Sequence, residues 1–451
     1  MVVFILLGIK LSKRYLYTAK RTCGMAEKPA KYMECAGCKQ IYPISPINGC
    51  DCLWPLELVY SPKNIGRLKE IITNGPKNLF RYEPFLPVSL APNYDVGLTG
   101  LIVADGLAQA IGIFKGNLYV KLDEGPISGT FKDRGVAVAV QAVSELNSQG
   151  SKFEAYGGTS TGNLASAIAA FGNLKKLKSI VLVHKEAHEE LIQKALSFGS
   201  YVLVVKGDYS KVDTTLKDVD DKTLNSRIAL ININLRPIYS QGSKTVGFEI
   251  AEQLGWRAPH NIVHPVAAGL SLWQIYQGLK EFQQFGLINE LNTRMHAAQT
   301  AACEPVVTAW KNGASDVFPI EQPGKSIAET LCVGNPSNGY NVLEVLKASN
   351  GSAISATEDE IMEGINLVSQ TTDFKTGPVG GVVVAGAKKL VSRGVIKPDE
   401  QTVLVLTDGY SGNEIYRGPF SEKEGRHRRI SIEPDRNIIK ATLEDILDGR
   451  R

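Results

Sequence analysis

From about residue 100, short apolar runs alternate with longer stretches whose apolar residues return every three or four positions. The short runs read as buried strands and the longer stretches as helices, because side chains repeat every two residues on a strand and about every 3.6 on a helix. Leu118 to Leu122 predicts a strand, and Arg134 to Leu146 a helix apolar on most faces. Phe153 to Tyr156 leads into a helix over Asn163 to Phe171, and Ile180 to Val183 into one over His188 to Phe198. Tyr201 to Val205 precedes another helix, and Ile228 to Ile233 precedes one over Lys244 to Leu254. Ile262 to Val266 gives way to Leu272 to Phe282, and Thr402 to Leu406 is a late strand ending at Thr407. This alternation predicts an α/β fold of parallel sheets covered on both faces. Ligands in such folds bind beyond the carboxyl ends of the strands, so the loops after each strand are where chemistry is expected.

Four loops qualify. Gly129-Thr130-Phe131-Lys132-Asp133-Arg134-Gly135 sets a lysine at the mouth of a helix, with small residues before it. A lysine there can be reached by an aldehyde and partly stripped of water, which disfavours the ammonium form and frees the amine. Read alone, Lys-Asp-Arg at a helix start equally describes a solvated turn with local ion pairs. Gly157-Gly158-Thr159-Ser160-Thr161-Gly162-Asn163 combines glycines, hydroxyls and a helix start, the ingredients of an anion nest or of an ordinary capped turn. Pro265-Val266-Ala267-Ala268-Gly269-Leu270-Ser271 also joins strand to helix, but its single glycine makes it a weak phosphate cradle by itself. Thr407-Asp408-Gly409-Tyr410-Ser411-Gly412 follows the last strand and, taken singly, is a turn.

Length and charge narrow the field. A chain of 451 residues exceeds one ordinary core, so two or three domains are expected. The net charge is only +4 and the signs are interleaved, which argues against a nucleic-acid stripe. The basic cluster Arg426, His427, Arg428 and Arg429 sits in a polar segment and reads as solvated surface. Val2 to Leu7 is too short an apolar run to span a bilayer and lacks the basic flank of a signal peptide. Residues 1–30 are expected to be disordered or a misassigned start, with Met25 as an alternative initiator, and the cytoplasm is the default location.

Cys35, Cys38, Cys50 and Cys52 form two closely spaced pairs, each beside a turn-forming glycine. Such pairs can present four thiolates tetrahedrally to one Zn²⁺. Four sulfurs leave no open coordination position, so the metal would be structural; the alternative is a loop of free or oxidised thiols. Cys303 and Cys332 lie among apolar neighbours and read as core.

Taken in order, the loops resemble the pyridoxal-phosphate enzymes of the tryptophan synthase β-subunit type (fold type II), and within that group the chain is most similar to threonine synthase. The resemblance covers roughly residues 31–415. It rests on the Cys-pair module, on Ser128-Gly129-Thr130-Phe131-Lys132-Asp133-Arg134-Gly135 and on Ser160-Thr161-Gly162-Asn163. Asn232-Ile233-Asn234-Leu235-Arg236-Pro237, running into Gly242-Ser243-Lys244-Thr245, extends it, as do Phe248 to Trp256, Gly334-Asn335-Pro336 and Gly380-Gly381-Val382. It implies two doubly wound domains with an N-terminal zinc-ribbon-like module: residues 31–60 for the module, 61–154 and 241–415 for a large cofactor-binding domain, 155–240 for a small mobile domain, and 416–451 for a polar C-terminal tail.

The resemblance also implies roles. Lys132 would join the cofactor aldehyde, and Phe131 would help shape the pocket. Asn163 would bond the cofactor's 3′ oxygen, the loop of Val266, Ala267, Ala268, Gly269, Leu270 and Ser271 would hold its phosphate, and Thr407 would meet the pyridine nitrogen. Ser160 and Thr161 would face the substrate carboxylate, with Asn234 and Arg236 on a substrate phosphate, although Arg236 could equally be a structural ion-pair residue. The implied reaction takes O-phospho-L-homoserine and water to L-threonine and phosphate. A homodimer is one assembly open to such an enzyme, although the sequence does not fix the oligomeric state.

The chain also departs from the family pattern. It has Pro126-Ile127-Ser128-Gly129-Thr130 where Asn-Pro-Thr-Gly-Ser is usual, few glycines in the phosphate loop, Asp408 after Thr407, and Gly377-Pro378-Val379 in place of an acidic-Ala pattern. A carboxylate near a dianionic phosphate would repel it. These departures keep open a threonine or serine dehydratase, a β-replacement enzyme like cysteate synthase, and a silent cofactor-binding paralogue.

Overall fold

The computed structural model describes residues 30–451 except 48, 53, 90–93, 161, 176, 186, 188, 207–215, 217–223, 225 and 409–427. The readings of residues 1–29, Thr161, the helix after Val205, Gly409 to Gly412, Arg426 and His427 lie outside the described residues. Near the start, β1 (Ala30–Cys35), β2 (Ile41–Tyr42) and β3 (Leu56–Tyr60) form a small antiparallel sheet in the order β2-β1-β3. It buries Met33, Leu56, Leu58 and Tyr60 together with Cys35 and Cys50.

The large sheet holds β4 (Leu101–Val103), β5 (Leu118–Leu122), β10 (Asn261–Pro265), β11 (Arg294–Thr300), β12 (Ser352–Ala356) and β13 (Thr402–Leu406), in the order β12-β11-β10-β13-β5-β4. All its pairs are parallel except β4 with β5. β11 and β12 escape an apolar-run reading for physical reasons. β11 buries His296, whose Nε2 pairs with Asn261, and Gln299, which bonds the backbone of Val266, Val306 and Val307. β12 is built mainly from Ser and Ala.

The smaller sheet holds β6 (Ala155–Thr159), β7 (Lys178–His184), β8 (Tyr201–Val205), β9 (Ile228–Leu230) and β14 (Arg429–Ile432), all parallel, in the order β14-β8-β7-β6-β9. The described helices are α1 (Leu68–Thr73), α2 (Asp105–Ile111), α3 (Asp133–Ser148), α4 (Asn163–Lys175), α5 (Glu189–Ser197), α6 (Arg236–Gln253), α7 (Leu270–Gln284), α8 (Pro305–Lys311), α9 (Gly339–Ala348), α10 (Glu358–Thr371), α11 (Pro378–Ser392) and α12 (Arg436–Leu447). Among the described residues, no helix is long and apolar enough to cross a membrane.

The expected polar tail over 416–451 is corrected at its far end. β14 adds a fifth strand beside β8, and α12 buries Ile439, Leu443, Ile446 and Leu447 against Leu203, Val205 and Ile228. Those four apolar positions recur at helical spacing, but flanking Arg, Glu and Asp residues dilute them in the sequence. Arg428 and Arg429 are likewise engaged, Arg428 with the Gly199 carbonyl and Arg429 with Glu189.

Three layers position the site. One face of the large sheet packs on α6, α7 and α9, and its other face on α2, α10 and α11. α3 packs its Val136 to Val143 stretch into the core of the smaller sheet with Ile168, Phe171, Val181 and Val202. α6 lies between the two units, touching both α3 and α7, and is buried from Pro237 to Ala251. Its close crossing with α3 requires glycine on both sides. A Cβ on Gly242 would lie 2.3 Å from the Arg134 carbonyl oxygen, and one on Gly135 would lie 2.4 Å from the Tyr239 ring.

Candidate active site

Lys132 stands at the start of α3, just past the carboxyl end of β5. Its loop is shaped by the next residue. The Asp133 carboxylate accepts the N–H groups of Ile127 and Ser128, both at 2.9 Å, and the Ser128 hydroxyl. Burial pushes the Asp133 carboxyl up to about 6, against the pull of these donors. Thr130 Oγ1 accepts the Lys132 N–H at 3.2 Å, and its own hydroxyl reaches the Asn163 carbonyl at 3.4 Å. Lys132 itself is half-buried, with Nζ 4.3 Å over the Phe131 ring. Burial first, and the Arg236 charge second, bring its amine down to about 8. An exposed lysine near 10.5 is almost wholly protonated at neutral pH, whereas this one keeps a usable fraction of free amine.

Two residues on, Arg134 enters a buried charge cluster. Its Nε donates to Asp123 Oδ1 at 2.7 Å, and Nη1 to Thr245 Oγ1 at 2.9 Å. Nη1 and Nη2 both reach the Glu249 carboxylate. Lys121 Nζ donates to the same carboxylate at 2.7 Å, to the Thr99 carbonyl and to Gln253. Two cations therefore balance two carboxylates away from water, an arrangement that works only when every member is paired. Phe248 to Trp256 is part of the family resemblance, and Glu249 within it is bonded to the lysine helix through Arg134.

The loop after β10 forms an anion cradle. Gly269 adopts a left-handed φ of 90° and caps α7, and a Cβ there would meet Val342 at 2.7 Å. No side chain caps the first turn of α7, and Ser271 Oγ, on that turn, is buried with no hydrogen-bond partner. Free N–H groups at the positive end of a 15-residue helix, joined by an unused hydroxyl, suit a phosphate. The Asn338 N–H holds the Ala268 carbonyl at 2.9 Å. Arg236, the first residue of α6, donates to Asn338 Oδ1 at 2.8 Å and to Ser337 Oγ at 2.9 Å. The Ser337–Asn338 pair was not singled out from sequence, although the Gly334-Asn335-Pro336 turn just before it was.

The remaining residues fall into place around these. Asn163 opens α4 against the lysine loop, and Ser160 follows β6 with its Oγ accepting the Gly162 N–H at 3.1 Å. Asn232 braces Thr159 through three hydrogen bonds. Asn234 Oδ1 accepts the Leu230 N–H at 2.8 Å, which commits that oxygen to a turn. Thr407 follows β13 and is 6% exposed. The Asp408 carboxylate is spoken for: it accepts the Val379 and Gly380 N–H groups, each at 2.7 Å, at the start of α11. This carboxylate serves as a helix cap beside the Gly377-Pro378-Val379 departure.

The four cysteines of the N-terminal sheet converge. Their Sγ atoms lie within 4.8 Å of one another, with 3.4 Å between Cys35 and Cys52 and between Cys38 and Cys50. The sheet is tied to α6, since Tyr60 donates to Gln241 Oε1 at 3.0 Å and lies under Lys244 Nζ at 3.9 Å.

Residues 93–408 match the pyridoxal-phosphate dependent enzyme family. The chain is 31% identical over 420 residues to a protein named threonine synthase from Methanocaldococcus jannaschii, covering 91% of this chain and 99% of that one. It is 33% identical over 386 residues to a threonine synthase from Methanosarcina acetivorans, covering 84% and 91%. Its fold is similar to maize serine racemase, with a TM-score of 0.54 and 14% identity over 78% of this chain and 93% of that one. It is also similar to the processed threonine deaminase isoform 2 of Solanum lycopersicum, with a TM-score of 0.56 and 16% identity over 85% and 94%. These two structural likenesses speak for the fold alone.

Proposed function

This chain belongs to the pyridoxal-phosphate dependent enzyme family, among its threonine synthase-like lyases, and we propose that it converts O-phospho-L-homoserine and water to L-threonine and phosphate. Arg236 carries this reading. Its charge lowers the basicity of Lys132, and its guanidinium is bonded to the turn that holds the cradle loop. Arg236 would then offer a second anion site besides the cradle. A dehydratase acting on an unphosphorylated amino acid needs only the first.

The residues present fit pyridoxal phosphate. The unpartnered Ser271 hydroxyl and the open α7 N-terminus would take its phosphate, and Val266, Ala267, Ala268, Gly269 and Leu270 would form the surrounding wall. Asn163 would bond the 3′ oxygen, Thr407 the ring nitrogen, and Lys132 the aldehyde, with Phe131 beside it. When bound, the cofactor supplies an aldehyde that Lys132 can join and a ring that spreads negative charge from the substrate α carbon.

Lys132 Nζ would take the α proton and is the base placed to move the β proton. Ser160 and Thr161 would hold the substrate carboxylate, and Arg236 would grip the phosphate leaving the γ carbon through its planar fork, helped by the Asn234 amide nitrogen. Lys132 would return one proton to the γ carbon and, after the hydroxyl of a water adds at the β carbon, another to the α carbon. In the N-terminal sheet, the four thiolates hold a structural Zn²⁺. Purified protein given phosphohomoserine is expected to release phosphate and threonine in equal amounts. Deamination of threonine with no turnover of phosphohomoserine would contradict the reading.

A further inference from the structure

Arg236 lines a cavity that the proposed reaction does not account for. The cavity holds about 770 Å³, a volume suited to a small molecule, and lies between the cysteine sheet and the helices α6, α7 and α9. Among the described residues of its lining, Arg236 is the only cation, while Glu57, Glu281 and Asp316 are carboxylates. An anion entering the cavity therefore has one partner of opposite charge. How firmly that guanidinium is held decides how well the anion is bound.

The start of α9 aims Arg236. Its Nη2 donates to Ser337 Oγ at 2.9 Å and to Asn338 Oδ1 at 2.8 Å. The Asn338 amide nitrogen is committed in turn, donating to Asn341 Oδ1 at 3.1 Å. The Asn338 carbonyl accepts the Val342 N–H at 3.0 Å, which closes the first turn of α9. That turn is the frame on which the guanidinium rests.

Tyr340, on the same turn, meets the cysteine sheet. Its ring stands edge-on to Trp54, with centroids 6.1 Å apart and planes at 84°. Both cysteine turns fix Trp54. Its carbonyl accepts the Cys50 N–H at 3.0 Å, and its ring covers Gly37, where a Cβ would come within 2.6 Å of the ring. Both aromatic residues line the cavity, yet Trp54 is 45% exposed and Tyr340 41%, so neither contributes much to a core. Their contact joins the cysteine sheet to the turn that holds Arg236.

We propose that Trp54 is a positioning residue of the substrate site: through Tyr340 it steadies the start of α9, and through Ser337 and Asn338 the Arg236 guanidinium. The proposal rests on the reading of Arg236 as the contact for the substrate phosphate. It gives the cysteine sheet a part in substrate binding besides its own folding. Without the aromatic contact the turn holds Arg236 less firmly, and the phosphate has to order it on binding.

The test uses the full-length, cofactor-loaded protein and inorganic phosphate as the probe, followed by isothermal titration. Trp54→Ala should weaken phosphate binding about fivefold, the share of one edge-on aromatic pair. KM for phosphohomoserine should rise by a similar factor, with kcat within about twofold of wild type. Trp54→Phe keeps an aromatic edge and should restore most of the affinity. Tyr340→Ala leaves the cysteine sheet untouched and should match Trp54→Ala, which keeps the test open should the tryptophan variant not fold. The double variant should bind no more weakly than either single one, because both remove the same contact. Arg236→Ala is the control for the underlying reading and should lose phosphate binding altogether. Unchanged affinity in Arg236→Ala would overturn that reading and the proposal with it. Loss in Arg236→Ala beside wild-type affinity in folded Trp54→Ala or Tyr340→Ala would overturn the proposal alone, as would additive losses in the double variant. A drop in melting temperature without a change in phosphate affinity would mean that Trp54 serves only the fold, and would overturn it equally.

Discussion

Arg134 and Glu249 meet in a two-armed ion pair sealed from solvent, with Nη2 donating to Oε2 at 2.9 Å and Nη1 to Oε1. The pair joins the helix that begins beside Lys132 to the helix that begins at Arg236. Asp123 and Lys121 then tie both helices to the strand beneath. The amine and the guanidinium are thereby set by one shared charge cluster.

Glu249→Gln is expected to destabilise the protein by roughly 3–5 kcal/mol, because it leaves Arg134 and Lys121 buried without full compensation. Denaturant unfolding of the two proteins checks this. The pH dependence has a definite sign. Burial opposes ionisation of Glu249, but Arg134 and Lys121 outweigh it and hold the carboxyl at about 2, below its ordinary 4.5. Its contribution is complete above the unfolded value and is lost as pH falls through about 2, so the variant should lack that part of the acid slope.

Arg236→Ala should raise KM for phosphohomoserine by about 10- to 100-fold, the loss expected for a charge-assisted contact to phosphate. Removing its positive charge should also lift Lys132 above about 8. Steady-state kinetics and the pH series of adduct formation read the two effects separately.

Asp408→Ala should cost about 0.5–2 kcal/mol through loss of the α11 cap. Burial pushes this carboxyl up to about 6 despite the Val379 and Gly380 donors. A carboxyl raised in the fold contributes less stability as pH climbs from its ordinary 3.8 through about 6, and the variant should lack that decline. Thermal melts at several pH values would show it.

Metal analysis should find one zinc per chain, and Cys38→Ser should abolish it. Zinc loss is expected to lower the melting temperature, because the module it closes carries Tyr60 against Gln241 and Lys244. Full stability after complete chelation would contradict a structural metal.

The sequence displayed what repeats and what is chemically rare. Leu118 to Leu122 and Thr402 to Leu406 are strands at the positions their apolar runs indicate. The cysteines meet as their spacing suggests. What stayed hidden was polar and buried. α6 begins eight residues before its predicted start because its first two turns bury Pro237, Ser240, Gln241, Gly242 and Ser243, which break the apolar period. Asp408 looked like an obstacle in the last loop until its two backbone partners came from a segment about 30 positions earlier.

The central claim is that one amine, Lys132, becomes covalently joined to the cofactor. Borohydride reduction of cofactor-loaded protein, followed by peptide mass analysis, tests it most directly. The account predicts the reduced pyridoxyl group on the peptide carrying Lys132 and its loss in Lys132→Ala, which releases any bound cofactor on denaturation. Fully loaded protein that yields this peptide unmodified would contradict the account.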